Sequence, residues 1–204
     1  MKINKFFFLY FLLFIGCATT VSEKNIINDV VNNFIKTNAK SNYILINIDE
    51  QKLIYKSKFR TYKYPISSSV NGLGNKKNSY KTPFGEHIVS EKIGENLPLG
   101  AVFKGRKWTQ EVIKPIKEEI DIPEDVITTR ILWLDGLEDG VNKGGDVDSK
   151  ERFIYIHGTA EEGLIGKPAS IGCIRMKNKD VIKLFNRVKE NTKVLIYSKN
   201  TQYF

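Results

Sequence analysis

Apolar positions along this chain gather in short β-branched and aromatic runs broken by turn-forming residues, the pattern of a sheet protein. YILINI (43–48) and KLIYKS (52–57) read as two strands of a hairpin turning at Asp49-Glu50-Gln51. Further strands are predicted at Tyr62–Ser69, Glu86–Ser90, Arg130–Leu134, Arg152–Ile156 and Val194–Tyr197. Helical spacing occurs twice. Ile26, Ile27, Val30, Val31, Phe34 and Ile35 predict a short helix over Glu23–Ile35 with Ser22 as its cap. Val181, Ile182, Leu184, Phe185 and Val188 predict a second over Asn178–Val188, with Asn178 at the N-cap and Asp180 in the first turn. Many short strands with one late helix argue for a mainly β domain.

The amino terminus departs from this pattern. A short basic stretch with Lys2 and Lys5 precedes ten apolar residues, 6–15, too few to span a bilayer but right for a signal h-region. Gly16-Cys17 then resembles the lipobox of bacterial lipoproteins, cleaved before the cysteine, which is lipidated. The expected organisation is a lipoprotein signal over 1–16, a lipid-anchored linker with its short helix over 17–40, and one folded domain over 41–204. Localisation follows as the cell envelope, with the protein anchored by lipid in the periplasm.

Loss of residues 1–16 leaves 188, enough for one domain with a core, and lowers the formal charge from +9 to +7. A basic envelope protein is drawn to anionic headgroups and wall polymers. Nucleic acid is not expected, because no helix-turn-helix, zinc finger or aromatic RNA-binding motif accompanies the lysines. The acidic stretch Asp135–Asp148 lacks calcium-loop spacing and reads as a solvated connection.

Candidate chemistry lies in HGTAEEGLIGKPASIGCIRM (157–176), which sets the second of two cysteines sixteen residues after the second of two histidines. A thiol is only a few per cent thiolate at neutral pH, so a nucleophilic cysteine needs a base, and an imidazole is the usual one. FIYI (153–156) reads as a strand delivering His157 to its end. Gly163, Gly166 and Pro168 let the chain fold back, and Gly172 allows close approach to the backbone before Cys173. Amides near Cys173, that of Gly172 among them, are candidate oxyanion donors. With Cys17 acylated, Cys173 is the one free thiol, a reactive candidate in a secreted protein. No metal-ligand spacing is present and no cofactor is expected.

HGT followed by S-x-G-C-I-R-M resembles the active-site signature of the L,D-transpeptidase (YkuD-domain) family of peptidoglycan enzymes. KYPIS (63–67) and KTPFG (81–85) are similar to the family's strand and T-P-x-G loop, so the resemblance covers roughly 43–198. It implies a curled, sandwich- or barrel-like β fold. It also implies Cys173 as nucleophile, His157 as general base and acid, and the Gly158 carbonyl as the group orienting the imidazole. Arg175 and Ser170 become candidate substrate contacts, Arg175 for a carboxylate or for structure. His87, just past the T-P-x-G loop, is a further candidate or a structural hydrogen-bonder. Ile171 stands where the family usually has histidine.

The implied reaction is acyl transfer from a tetrapeptide stem through a Cys173 thioester to an amine. Hydrolysis of stem peptides or cross-links is the alternative, and a second alternative is an inactive wall-binding lipoprotein. The partners implied are peptidoglycan stem peptides and, through the lipid, a membrane.

Overall fold

The computed structural model describes residues 15–199, with side chains from residue 26 onward, so residues 1–14 of the expected signal over 1–16 and the side chain of Cys17 lie outside the described residues. Ten strands form one sheet: β1 (Tyr43–Asn47), β2 (Lys52–Lys56), β3 (Thr61–Ser67), β4 (Gly85–Ile93), β5 (Ala101–Lys104), β6 (Lys107–Val112), β7 (Ile127–Gly136), β8 (Tyr155–Thr159), β9 (Ile174–Met176) and β10 (Lys193–Tyr197). Their order is β4-β10-β1-β2-β3-β9-β8-β7-β5-β6, and β4 also pairs with β7. Eight strands therefore close a barrel-like circuit, which removes the sheet's open edges, while the β5-β6 hairpin extends from β7. The mainly β, curled expectation agrees with this architecture.

Alternation along the strands fills the interior. Ile44, Ile46, Leu53, Leu132, Leu134, Ile156, Ile174 and Ile196 are all fully buried, and helix α2 (Asn178–Phe185) adds Val181, Leu184 and Phe185 to the same core. The helix expected over Asn178–Val188 ends at Phe185, although Val188 still packs inward.

Helix α1 (Ile15–Thr37) is longer than predicted. No glycine or proline follows Gly16 within it, so the chain has no reason to break at Ser22, which lies inside the helix and is not its cap. Of the predicted apolar stripe, Ile27 and Phe34 are buried and Val31 and Ile35 half-buried against Tyr43, Leu45, Leu195 and Tyr197, whereas Ile26 and Val30 stay exposed. Phe34 meets Tyr43 edge-on at 5.7 Å. The segment expected as linker is thus partly docked on the outer face of β1 and β10. No helix among the described residues is long and apolar enough to cross a membrane.

Two connections differ from expectation. The 135–148 stretch is not merely solvated: Asn142 is fully buried and donates Nδ2 to the carbonyls of Phe84 and Glu86, clipping this loop onto the start of β4. Asn178 is not the N-cap of α2 but its first residue, after Lys177. Glu162 caps instead, its Oε1 accepting the Asn178 amide at 2.7 Å. The Asn178 side chain is drawn away by stronger local demands. Its Oδ1 accepts from the hydroxyls of Thr128 and Thr129, and its Nδ2 donates to Thr159 O and Glu162 Oε1.

Candidate active site

Parallel pairing of β8 with β9 brings the two candidate residues together. Ile156 faces Ile174 and His157 faces Arg175, so Cys173, at the mouth of β9, falls beside β8 although sixteen residues separate it from His157. A parallel neighbour needs a crossover, and residues 160–173 supply it, with a 3-10 turn at Glu162–Leu164. His157 is inside β8 rather than at its end, because the strand begins two residues later than FIYI suggests: residues 151–153 turn, and Phe153 takes a left-handed φ of 58°.

His157 is fully buried, and its Nδ1 lies 2.7 Å from the Gly158 carbonyl. A carbonyl only accepts, so Nδ1 carries the proton and Nε2 holds the lone pair. Nε2 is buried without a hydrogen-bond partner. Gly158 itself is needed for space. A Cβ there would meet Asn178 Oδ1 at 2.5 Å and Thr128 O at 2.7 Å, so the Asn178 hub and the carbonyl that holds the imidazole share one tightly packed spot.

The Cys173 sulfur sits between two backbone groups, accepting from the Tyr155 amide and donating to the Phe153 carbonyl, each at 3.4 Å. Its surface is part open to the cleft. Dense surroundings nonetheless push the thiol up to about 12, with Asp125 adding to the rise and the Tyr155 amide, Arg175 and Arg152 opposing it. Burial pulls the His157 imidazole below its usual value, against Asp125 and the Gly158 carbonyl. At rest the couple is a neutral thiol and a neutral imidazole.

Both line a cleft of about 390 Å³ with Lys77, Tyr80, Asp125, Arg152, Phe153 and Ile171 among its walls. Arg152 staples the 74–81 loop to this cleft by donating to the carbonyls of Gly74, Asn75 and Lys81. Gly172, with φ 137°, makes the turn that presents Cys173.

Several expected contacts fall elsewhere. Arg175 does not line the cleft: it is 3% exposed, its Nη1 donates to Glu161 Oε2 at 2.6 Å, and its Nε lies 3.0 Å from Asp125 Oδ1. Glu161 takes a hydrogen bond from the guanidinium and Asp125 adds a second negative charge beside it, so the buried group serves two internal carboxylates and not a substrate. Ser170 is fully buried and donates to Cys173 O at 2.6 Å, which fixes the turn rather than a ligand. The Gly172 amide points at Ser170 Oγ, 3.3 Å away, so it is not a free oxyanion donor. His87 is fully buried between Gly85 O and Ser149 Oγ, outside the cleft lining. Asp125 and Arg152 were not singled out in sequence, since nothing local distinguishes them from surface charges.

Burial without a charged partner holds the His87 imidazole at about 4, below its usual 6.5. The unfolded chain then binds more protons between these values, so stability should be full above 6.5 and fall as pH drops toward 4, by about 3 kcal/mol for this group. His157, shifted the same way, adds to the loss. Denaturant unfolding across this window checks it, and His87→Gln should flatten the decline. A slope unchanged by that substitution would reject the assignment.

The fold and site together define a cysteine-histidine cleft on a closed β framework, and the chain belongs to the YkuD family, the L,D-transpeptidase catalytic domain, which matches residues 41–196. Among curated relatives it is 43% identical over 61 residues to the putative L,D-transpeptidase YqjB of Bacillus subtilis, a match covering 29% of this chain and 35% of that protein. It is 56% identical over 48 residues to the putative L,D-transpeptidase YkuD of the same organism, covering 24% and 29%. The matched segments thus span about a third of those relatives' length. Solved structures similar to it include an L,D-transpeptidase from Mycobacterium smegmatis, at 16% identity and a TM-score of 0.43 over 77% of this chain and 59% of that one. A mutant of the Enterococcus faecium L,D-transpeptidase is similar at 18% identity and a TM-score of 0.47, over 76% and 49%.

Proposed function

We propose that this protein transfers an acyl group from a peptidoglycan tetrapeptide stem, through a thioester on Cys173, to an amine acceptor. The observation that carries the reading is the buried Nε2 of His157, held as a lone-pair acceptor by the Nδ1 bond to Gly158 O and lacking a partner in a cleft shared with Cys173. Proton transfer between a thiol near 12 and an imidazole below its usual value is uphill, so it accompanies attack instead of preceding it.

The sulfur attacks the carbonyl of the third stem residue as its proton passes to Nε2. The C–N bond breaks, and the terminal D-alanine leaves with that proton. The Tyr155 amide, already on the sulfur, supports the negative charge that develops there. An amine then takes the acyl group from sulfur.

Ile171, 56% exposed on the cleft wall, makes one side of the thioester site apolar. A hydrolytic water needs two to four polar partners, so this wall favours transfer to an amine over hydrolysis. Lipidation of Cys17 would hold the enzyme at the envelope, where the stems are. The test is a purified domain incubated with a tetrapeptide muropeptide and excess amine. Cross-linked or exchanged product should exceed tripeptide, whereas mainly tripeptide would establish the hydrolase, and no thioester on Cys173 would overturn the mechanism.

A further inference from the structure

The carboxylate of Asp125 is the unexplained group in the cleft. Its side chain is 16% exposed, and it shares the lining with His157 and Cys173. Oδ1 lies 3.0 Å from Arg175 Nε yet off the N–H direction, so both atoms are buried without a hydrogen bond. Arg175 spends its Nη1 on Glu161. One guanidinium thus faces two carboxylates, Glu161 taking its hydrogen bond; of the cleft's other cations, Lys77 and Arg152, the Arg152 guanidinium is spent on the carbonyls of Gly74, Asn75 and Lys81.

The Asp125 charge works against the nucleophile, because a carboxylate beside a thiol disfavours thiolate. It is not required to orient the base either, since the Gly158 carbonyl already fixes the imidazole. Beyond its ion pair with Arg175, a carboxylate on the cleft wall can serve a cation that enters the cleft. We infer that Asp125 is the subsite for the ammonium group of the acceptor, so that the cleft selects cationic amines to attack the thioester. This rests on the thioester reading above.

The chemistry balances without any further reactant. The acceptor arrives as an ammonium paired with Asp125 and gives one proton to His157 Nε2, neutral once the first leaving group has gone. The free amine attacks the thioester carbonyl, a C–N bond forms and the C–S bond breaks. Sulfur leaves with the second amine proton, one hydrogen stays on the new amide, and the imidazolium returns its proton to solvent. Holding the ammonium near the carbonyl also raises its local concentration relative to neutral nucleophiles.

Competition between two acceptors for one acyl-enzyme tests this independently of how fast the acyl-enzyme forms. The full chain is incubated with a tetrapeptide muropeptide and a mixture of Nα-acetyl-lysine amide, an ammonium in neutral buffer, and hydroxylamine, which is uncharged there. The ratio of amide to hydroxamate product is read by mass spectrometry. Asp125→Asn should lower that ratio about tenfold, the scale of one charge-assisted contact. Glu151→Gln, on the exposed rim of the same cleft, should lower it less.

Added salt should lower the wild-type ratio by screening the pair, a measurement that stands even if Asp125→Asn does not fold. A ratio unmoved by both the substitution and salt overturns the inference. So does an equal fall in Glu151→Gln, which would assign the effect to the cleft's overall charge. Absence of any acyl group on wild-type Cys173 would overturn the thioester reading, and with it this one. An unchanged ratio from a clearly formed acyl-enzyme overturns the subsite alone.

Discussion

Cys173→Ala should abolish acyl transfer, and His157→Ala should reduce it by about 10²–10⁴-fold, the usual contribution of a positioned base, with the fold retained in both. The expectation comes from the geometry. His157 Nδ1 is committed to Gly158 O, which leaves Nε2 as the only ring atom able to take the thiol proton. Because burial lowers this imidazole below 6.5, the acid limb of the rate should also lie below 6.5, where protonation removes the base.

A thiol near 12 further predicts that the resting enzyme is alkylated by iodoacetamide more slowly than free cysteine in neutral buffer. Turnover measured against muropeptide and intact-mass analysis after alkylation check both points. Near-full activity in His157→Ala would remove the imidazole from the mechanism. Rapid alkylation would mean that thiolate is already formed at rest, contrary to the neutral pair described above.

The second large effect is on stability. Arg175→Met should destabilise the protein by about 3–5 kcal/mol, the cost of leaving a buried ion-pair partner uncompensated, and lower its melting temperature by about 10 °C. Glu161 is fully buried and Asp125 half-buried, and without the guanidinium that lies beside both, two carboxylates are left with no cation between them. Protonation of Glu161, whose carboxyl burial already raises, would recover part of this cost. Denaturant unfolding provides the measurement. If Arg175 instead bound substrate, the variant would unfold normally and only KM would rise. Lysine should not rescue it, since one ammonium cannot span both carboxylates as the fork does.

These two residues show what a sequence can and cannot carry. Cys173 and His157 were legible because their neighbours are constrained as well: HGT and S-x-G-C-I-R-M encode a strand, a tight glycine and a turn that work only together. The strands 43–48 and 52–57 were legible from local propensity, as was the core stripe of α2. The hairpin β5-β6 and the three-residue β9 were not, because β6 is exposed along its whole length and β9 is too short to show a period.

For Arg175 and His87 the sequence left a structural role beside a ligand contact, while Ser170 was read as a substrate contact and Asn178 as a cap; position in sequence could not decide among these. Partners elsewhere in the chain take them up: Glu161 hydrogen-bonds Arg175, Thr128 and Thr129 bond Asn178, and Ser149 bonds His87, while Ser170 turns inward to Cys173 O. Asp125, by contrast, carried no local signal and enters the cleft only through the return of the chain into β7.

Local sequence determined the mainly β character and the cysteine-histidine couple, because strand propensity, glycine turns and motif spacing act over a few residues. The tertiary structure decided the rest. Closure through the β4-β7 pairing and the parallel β8-β9 register set which side chains share the cleft, and burial set their charge states. Neither is readable from a neighbourhood of residues, since desolvation and opposing charges come from strands far apart in the chain.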